Sequence, residues 1–218
     1  MKKILPLTIV IILISVGFGI PKKTVQEENI LKKVANAHGY QNWKKIKEIN
    51  FTFNVDRDTS HFERRWGWKT ESNDINAISA KDTLRYNWSN MDSTALKTNA
   101  GFINDKFWLL APYQLVWDAD NIEHKIGKEA APISKKPMHK LTVVYGNEGG
   151  YTPGDAYDFY FEDDYIIREW IFRKSNQKEP SMITTFEDYV EINGLKLAKM
   201  HKMAEGSFKL YFTDVSVR

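Results

Sequence analysis

Alternation of apolar and polar residues is the clearest signal along this chain. In "EINFTFNV", Ile49, Phe51, Phe53 and Val55 fall on one side and Asn50, Thr52 and Asn54 on the other. That is the period of a strand with one buried face. "HFERRWGWKT" repeats the pattern with Phe62, Arg64, Trp66 and Trp68, and "DTLRYNWS" repeats it with Leu84, Tyr86 and Trp88. Ahead of these strands, "TVQEENILKKVANAHGY" changes to a helical period, with Ile30, Leu31, Val34, Ala35 and His38 on one face. Thr24 and Glu27 have capping-box spacing, and Gly39 can end the helix in a left-handed conformation.

The C-terminal half reads as six strand-like runs: "HKLTVVY", "DAYDFYFE", "YIIREWIFR", "TTFEDYVEI", "LKLAKMHKM" and "FKLYFTDVSV". Asp163-Asp164 and Asn193-Gly194 supply tight turns, the second a strong hairpin signal. Strands without intervening helices predict a meandering antiparallel sheet. The middle of the chain is less regular. "SNMDSTALKTN" is polar and reads as a loop or short helix. "GFINDKFWLLAPYQLVWD" reads as an irregular buried segment with a turn at Asn104-Asp105, because Pro112 opposes both a long helix and a central strand. "ADNIEHKIGKEAAPISKKPM" reads as a surface loop or ragged edge. The fold class is therefore mainly β, of the α+β kind.

"MKKILPLTIVIILISVGFGIPKK" has a basic start at Lys2 and Lys3, an apolar stretch from Leu7 to Val16, and the small-x-small triplet Gly17-Phe18-Gly19. These are the parts of a secretory signal. The expected organisation is a signal peptide over 1–19 and one domain over 20–218, located in the periplasm or secreted after cleavage. The alternative is an uncleaved N-terminal membrane anchor, although the apolar stretch is short against the roughly 20 residues that span a bilayer. With no cysteine in the chain, disulfides, thiolate metal sites, a cysteine nucleophile and lipidation on cysteine are excluded. The formal net charge of +3 falls to +1 once Lys2 and Lys3 are removed, which argues against nucleic acid as a partner.

No motif for catalysis emerges. "YGNEGGYTPGDAYD" is glycine-rich, but it has neither the lysine of a phosphate loop nor the alternating carboxylates of an EF-type calcium loop. A looser calcium site using Asp155 or Asp158 stays open. Thr152-Pro153-Gly154-Asp155 suits a type II turn, so the stretch reads as a wide strand connection with Tyr151 folded over the sheet. None of the five histidines pairs with another at a zinc spacing. His38, on the apolar helix face, reads as structural. Glu162-Asp163-Asp164 reads as a solvated turn, and the sequons at Asn50 and Asn87 fall in strands, where chance explains them. The expectation is a non-enzymatic protein with no cofactor and no metal.

The aromatic residues carry more weight, at 13% of the chain with seven tryptophans. Two readings are available for them. They fill the concave side of a curved sheet, or they line a cavity for an apolar ligand. On the second reading the candidate ligand-binding residues are Trp66, Trp68, Trp88, Trp108, Tyr113, Trp117 and Trp170, with a lipid or other apolar molecule as partner. The rival function is a structural or interaction module of the cell envelope with a filled core, partnered by envelope proteins. An enzyme without a recognisable motif ranks last.

The stretches "ANAHGYQNWKKIKEINFTF", "FINDKFWLLAPYQLVWD", "GDAYDFYFEDDYIIREWIFR" and "INGLKLAKMHKMAEGSFKLYFTDVSV" together resemble the superfamily of the lipoprotein carriers LolA and LolB, with local likeness to Bacteroidetes-type envelope proteins grouped there. The resemblance implies an open antiparallel half-barrel with one or more helices over its concave face. It also implies a protein that holds acyl chains or other lipids and catalyses no reaction.

Overall fold

A computed structural model describes residues 29–79 and 82–218. The expected signal peptide and its cleavage site lie outside the described residues, as do Thr24 and Glu27. Helix α1 spans Ile30–Ala37 and is capped by Asn29, whose side chain accepts from the Leu31 amide at 2.9 Å. Asn29, with φ −53° and ψ 135°, stands outside the helical region, and α1 begins at Ile30. Leu31, Val34 and Ala35 are buried as their spacing predicts, and Gly39 leaves the helix at φ 92°. A 3-10 turn, Tyr40–Lys45, carries Trp43 onward.

The expected strands form. The first four are β1 (Glu48–Arg57), β2 (Ser60–Lys69), β3 (Asp74–Ile78) and β4 (Thr83–Asn87). After a long helix, α2 (Ser93–Trp117), come β5 (Ile122–Ala130), β6 (Pro137–Tyr145), β7 (Ala156–Phe161), β8 (Ile167–Arg173) and β9 (Met182–Thr185). The chain ends with β10 (Glu187–Ile192), β11 (Leu195–Lys202) and β12 (Lys209–Val217). All pairings are antiparallel. One sheet runs in the order β10-β11-β12-β1-β2-β3-β4, the other β5-β6-β7-β8-β9. Neither closes on itself, and the inner faces share one apolar core with α1 and α2. This is the open antiparallel half-barrel.

Three readings of the sequence change. "TTFEDYVEI" is not one strand. It divides at Phe186, so that β9 ends the five-stranded sheet and β10 edges the seven-stranded one. The seam is bonded: the Phe186 amide donates to the Arg168 carbonyl at 2.7 Å, and the Lys202 amide donates to Thr185 Oγ1 at 3.1 Å. The "ADNIEHKIGKEA" stretch holds a regular edge strand, β5, with Ile122 alone buried among its residues. The third change is the largest.

"DSTALKTNAGFINDKFWLLAPYQLVW" is a helix, with no turn at Asn104-Asp105. Asp92 caps it by accepting from the Ala95 amide at 2.8 Å. Pro112 is accommodated by a kink at Leu110, whose φ of −119° and ψ of 20° leave the helical region. A proline lacks the amide for the carbonyl four residues back and crowds it, so the helix bends where it would otherwise break. Every residue from Asp105 to Leu115 is buried, which removes the polar stripe that makes a helix readable.

The glycine-rich connection between β6 and β7 behaves as its turn chemistry predicts. Asp155 N donates to Thr152 O at 3.1 Å across Pro153 and Gly154, and Gly154 has φ 83°. Tyr151 folds inward and stacks on Phe107 with ring centroids 4.0 Å apart.

Candidate ligand site

Four tryptophans from four separate elements meet at one place. Trp43 comes from the 3-10 turn, Trp68 from β2, Trp88 from the segment after β4, and Trp117 from the last turn of α2. Trp43 and Trp117 lie 4.7 Å apart edge to face, Trp43 and Trp68 5.7 Å apart, and Trp68 and Trp88 5.9 Å apart. Tyr113, one helical turn before Trp117, closes the wall at 5.7 Å from Trp43. Trp43, Trp88 and Trp117 are only half-buried, whereas Trp68 and Tyr113 are buried. The group is therefore a mouth, with half-exposed rings at its rim and buried rings at its back.

Lys106 projects from α2 into this mouth. Its ammonium lies 5.5 Å from the ring of Trp68 and 5.2 Å from those of Trp88 and Trp117. Aromatic faces attract a cation at this range. The residue keeps 6% of its surface exposed. Burial holds its pKa down at about 8, against a smaller upward pull from Asp118. The amine therefore stays mostly protonated at neutral pH. Asp118 does not reach it as an ion pair. Its Oδ2 accepts from Gln114 Nε2 at 2.8 Å, Tyr145 OH at 2.9 Å and the Tyr151 amide at 3.0 Å.

Next to the mouth, Asp105 clamps α2 to β2. It is fully buried and takes Arg64 at 2.8 and 2.7 Å through Nε and Nη2, the Trp66 indole N–H at 2.8 Å and Asn104 Nδ2 at 3.0 Å. Burial raises its pKa, and Arg64 opposes the rise. Trp66 is thus tied by its nitrogen as well as packed on Phe102 at 5.3 Å.

A second aromatic group lies on the other side of α2. Trp108 and Trp170 meet at 4.6 Å, Tyr157 and Trp170 at 5.3 Å, and Phe186 and His201 at 4.4 Å. His201 is fully buried, and burial depresses its pKa to about 3. Its Nδ1 pairs with the Thr185 carbonyl at 3.0 Å. Among the described residues, the buried Trp170 Nε1 has no hydrogen-bond partner. His38 is likewise buried and structural, with Nδ1 2.8 Å from the Val34 carbonyl and a pKa lowered to about 4 by burial. Among the described residues, no group of three or more His, Asp or Glu is arranged to hold a metal.

No protein-family model matches the chain, and no curated relative matches it. Among solved structures, the chain is similar to a DUF1329 family protein from Desulfovibrio piger, with 10% identity and a TM-score of 0.48 over 86% of this chain and 93% of that one. It is also similar to a "putative outer membrane lipoprotein-sorting protein domain" from Vibrio parahaemolyticus, with 9% identity and a TM-score of 0.42 over 86% and 93% of the two chains. MucB of Pseudomonas aeruginosa, solved in complex with MucA, matches at 10% identity and a TM-score of 0.29 over 86% of this chain and 56% of that one. The likeness is one of fold.

Of the seven aromatic residues singled out in the sequence, Trp68, Trp88, Tyr113 and Trp117 come together at the mouth. Trp108 and Trp170 belong to the closed group, and Trp66 lies between the two at the Asp105 clamp. Sequence reasoning missed Trp43 and Lys106. Trp43 follows the helix stop in "YQNWKK", and Lys106 is a cation inside the most apolar internal run. A charge in that setting is the signal that could have found it. An open groove of about 560 Å³ borders the group through Trp68, with Tyr86, Ile75, Glu48, Asn50 and Asp74 on its other walls, and one of about 570 Å³ lies beside His139 and Asp163.

Proposed function

We propose that this chain is an exported, non-enzymatic envelope protein that binds a lipid or other apolar molecule at the tryptophan mouth. The observation that carries the proposal is the gathering of three half-buried tryptophans, Trp43, Trp88 and Trp117, around the buried Trp68 and Tyr113. Large apolar rings left facing water in a cluster mark a place where something apolar docks. Trp68 and Tyr113 form its back wall, and Trp66 joins that wall through Phe102, which packs on both Trp66 and Trp68, whereas Trp108 and Trp170 stay in the other group. Export rests on the basic and apolar N-terminal pattern. Among the described residues, no helix is long and apolar enough to cross a membrane.

Native mass spectrometry of gently purified protein, followed by titration of the delipidated chain with a fluorescent fatty acid, tests the reading. A bound lipid mass, or saturable uptake that quenches tryptophan emission, is expected. Neither bound lipid nor uptake would leave the rival, an interaction module with a filled core. N-terminal sequencing of the envelope fraction should begin near Ile20 or Pro21, and recovery of intact Met1 in the membrane pellet would make the segment an anchor.

A further inference from the structure

Lys106 is out of place if the mouth serves only an apolar molecule. A purely apolar site would be better built with a methionine or leucine there, because an ammonium withdrawn from water must be compensated. Three indole faces supply part of that compensation. Asp118 adds an electrostatic pull without reaching it, and no direct hydrogen bond or ion pair within the described residues supplies the rest. Two of the neighbouring acceptor atoms are already occupied. Asp118 Oδ2 holds three donors, and Asn99 Oδ1 takes both Tyr86 OH and Trp88 Nε1. The other nearby cation, Arg64, is spent on Asp105.

We propose that Lys106 is the headgroup site of the mouth, and that the ligand is a monoanionic amphiphile, a carboxylate carried on an apolar chain. This rests on the apolar-ligand reading above and narrows it to a chemical class. One uncommitted ammonium matches one negative charge, since a dianion would need a second free cation. The ammonium offers three donors to a carboxylate and has no acceptors to lose. The half-buried rims of Trp43, Trp88 and Trp117 give the apolar chain a path outward from the buried charge.

The test uses the full chain, delipidated, with calorimetric titration of decanoate, decanol and acetate. Decanoate should bind at least about tenfold more tightly than decanol, the ratio a charge-assisted bond provides, and acetate should bind far more weakly than decanoate. Lys106→Met should reduce the preference for decanoate over decanol to within about twofold, and Lys106→Arg should keep most of it. Lys106→Gln serves in place of the methionine variant if that one fails to fold, and the wild-type comparison needs no variant. Equal wild-type affinity for decanoate and decanol, or an undiminished preference in Lys106→Met, would overturn the headgroup assignment and leave the apolar-ligand reading standing. Acetate binding as tightly as decanoate would overturn the amphiphile. Failure of both decanoate and decanol to bind would remove the apolar-ligand reading itself.

Discussion

The two aromatic regions flanking α2 are built from the same residue types and differ in what they do with charge and water. Around Trp170, the rings of Trp108, Tyr157, Phe159 and Phe186 are each less than 10% exposed. Their histidine neighbour, His201, is pushed to a pKa of about 3 and is neutral at working pH. Around Lys106, three of the tryptophans are half-buried, and the titratable group retains its charge at neutral pH because its pKa falls only to about 8. The first region has given up every charge that would resist packing. The second keeps a cation among apolar rings, where it adds little to the fold. An aromatic surplus can therefore serve as scaffold on one side of a helix and as a site on the other, and burial with charge compensation separates the two.

Truncation should show the contrast most strongly. Trp170→Ala empties part of a closed core and should cost about 4 kcal/mol. Trp88→Ala removes a half-solvated ring and should cost less than half as much, measured by urea denaturation. Equal losses would mean that both regions are core. Asp105→Ala comes next, at about 3 kcal/mol, because it leaves Arg64 and the Trp66 N–H without their acceptor. A loss well under 1 kcal/mol would show that the clamp is dispensable.

Acid should act on the buried histidines. His38 and His201 have folded pKa values of about 4 and about 3, both lowered chiefly by burial. The unfolded chain takes up these protons near pH 6.5, so stability is fully present above that value and falls as pH drops toward 4. At pH 5 each histidine should withdraw about 2 kcal/mol. His38→Gln and His201→Gln variants with unchanged acid sensitivity would contradict this. Gly154→Ala, at a turn position with φ 83°, should cost about 1 kcal/mol. The smallest effect belongs to the mouth. Lys106→Met should leave stability unchanged or raise it by about 1 kcal/mol, since a desolvated ammonium is exchanged for an apolar side chain of similar length. A clear loss would make Lys106 part of the scaffold.

Legibility in the sequence followed the asymmetry of burial. Ile49, Phe51 and Phe53 announced β1 because they recur at every second position, all on the core side. Asn193-Gly194 announced its hairpin because both residues need positive φ, and they have φ 49° and 77°. The second half of α2 was unreadable for the opposite reason. From Asp105 to Leu115 no face is solvated, and Pro112 pointed away from a helix that survives by kinking at Leu110. The division of "TTFEDYVEI" at Phe186 was hidden because neither Gly nor Pro marks it, and the only local sign is the break in alternation at Glu187-Asp188, where Asp188 takes φ 53°. The mouth was half legible. Trp68, Trp88, Tyr113 and Trp117 could be named as large rings, but only tertiary structure brings them to Trp43 and Lys106, since Trp43 and Trp117 approach within 4.7 Å although 74 positions separate them in the chain.

The central claim, that the ligand enters the mouth and not the closed cluster, is tested most directly by bromine quenching. Delipidated protein would be titrated with a brominated fatty acid, with tryptophans replaced singly by phenylalanine. Quenching should fall sharply in Trp88→Phe and Trp117→Phe and stay close to wild type in Trp108→Phe and Trp170→Phe. The reverse pattern, with quenching lost through Trp108 or Trp170 and kept through Trp88 and Trp117, would place the ligand inside the cluster assigned here to the scaffold and contradict the account.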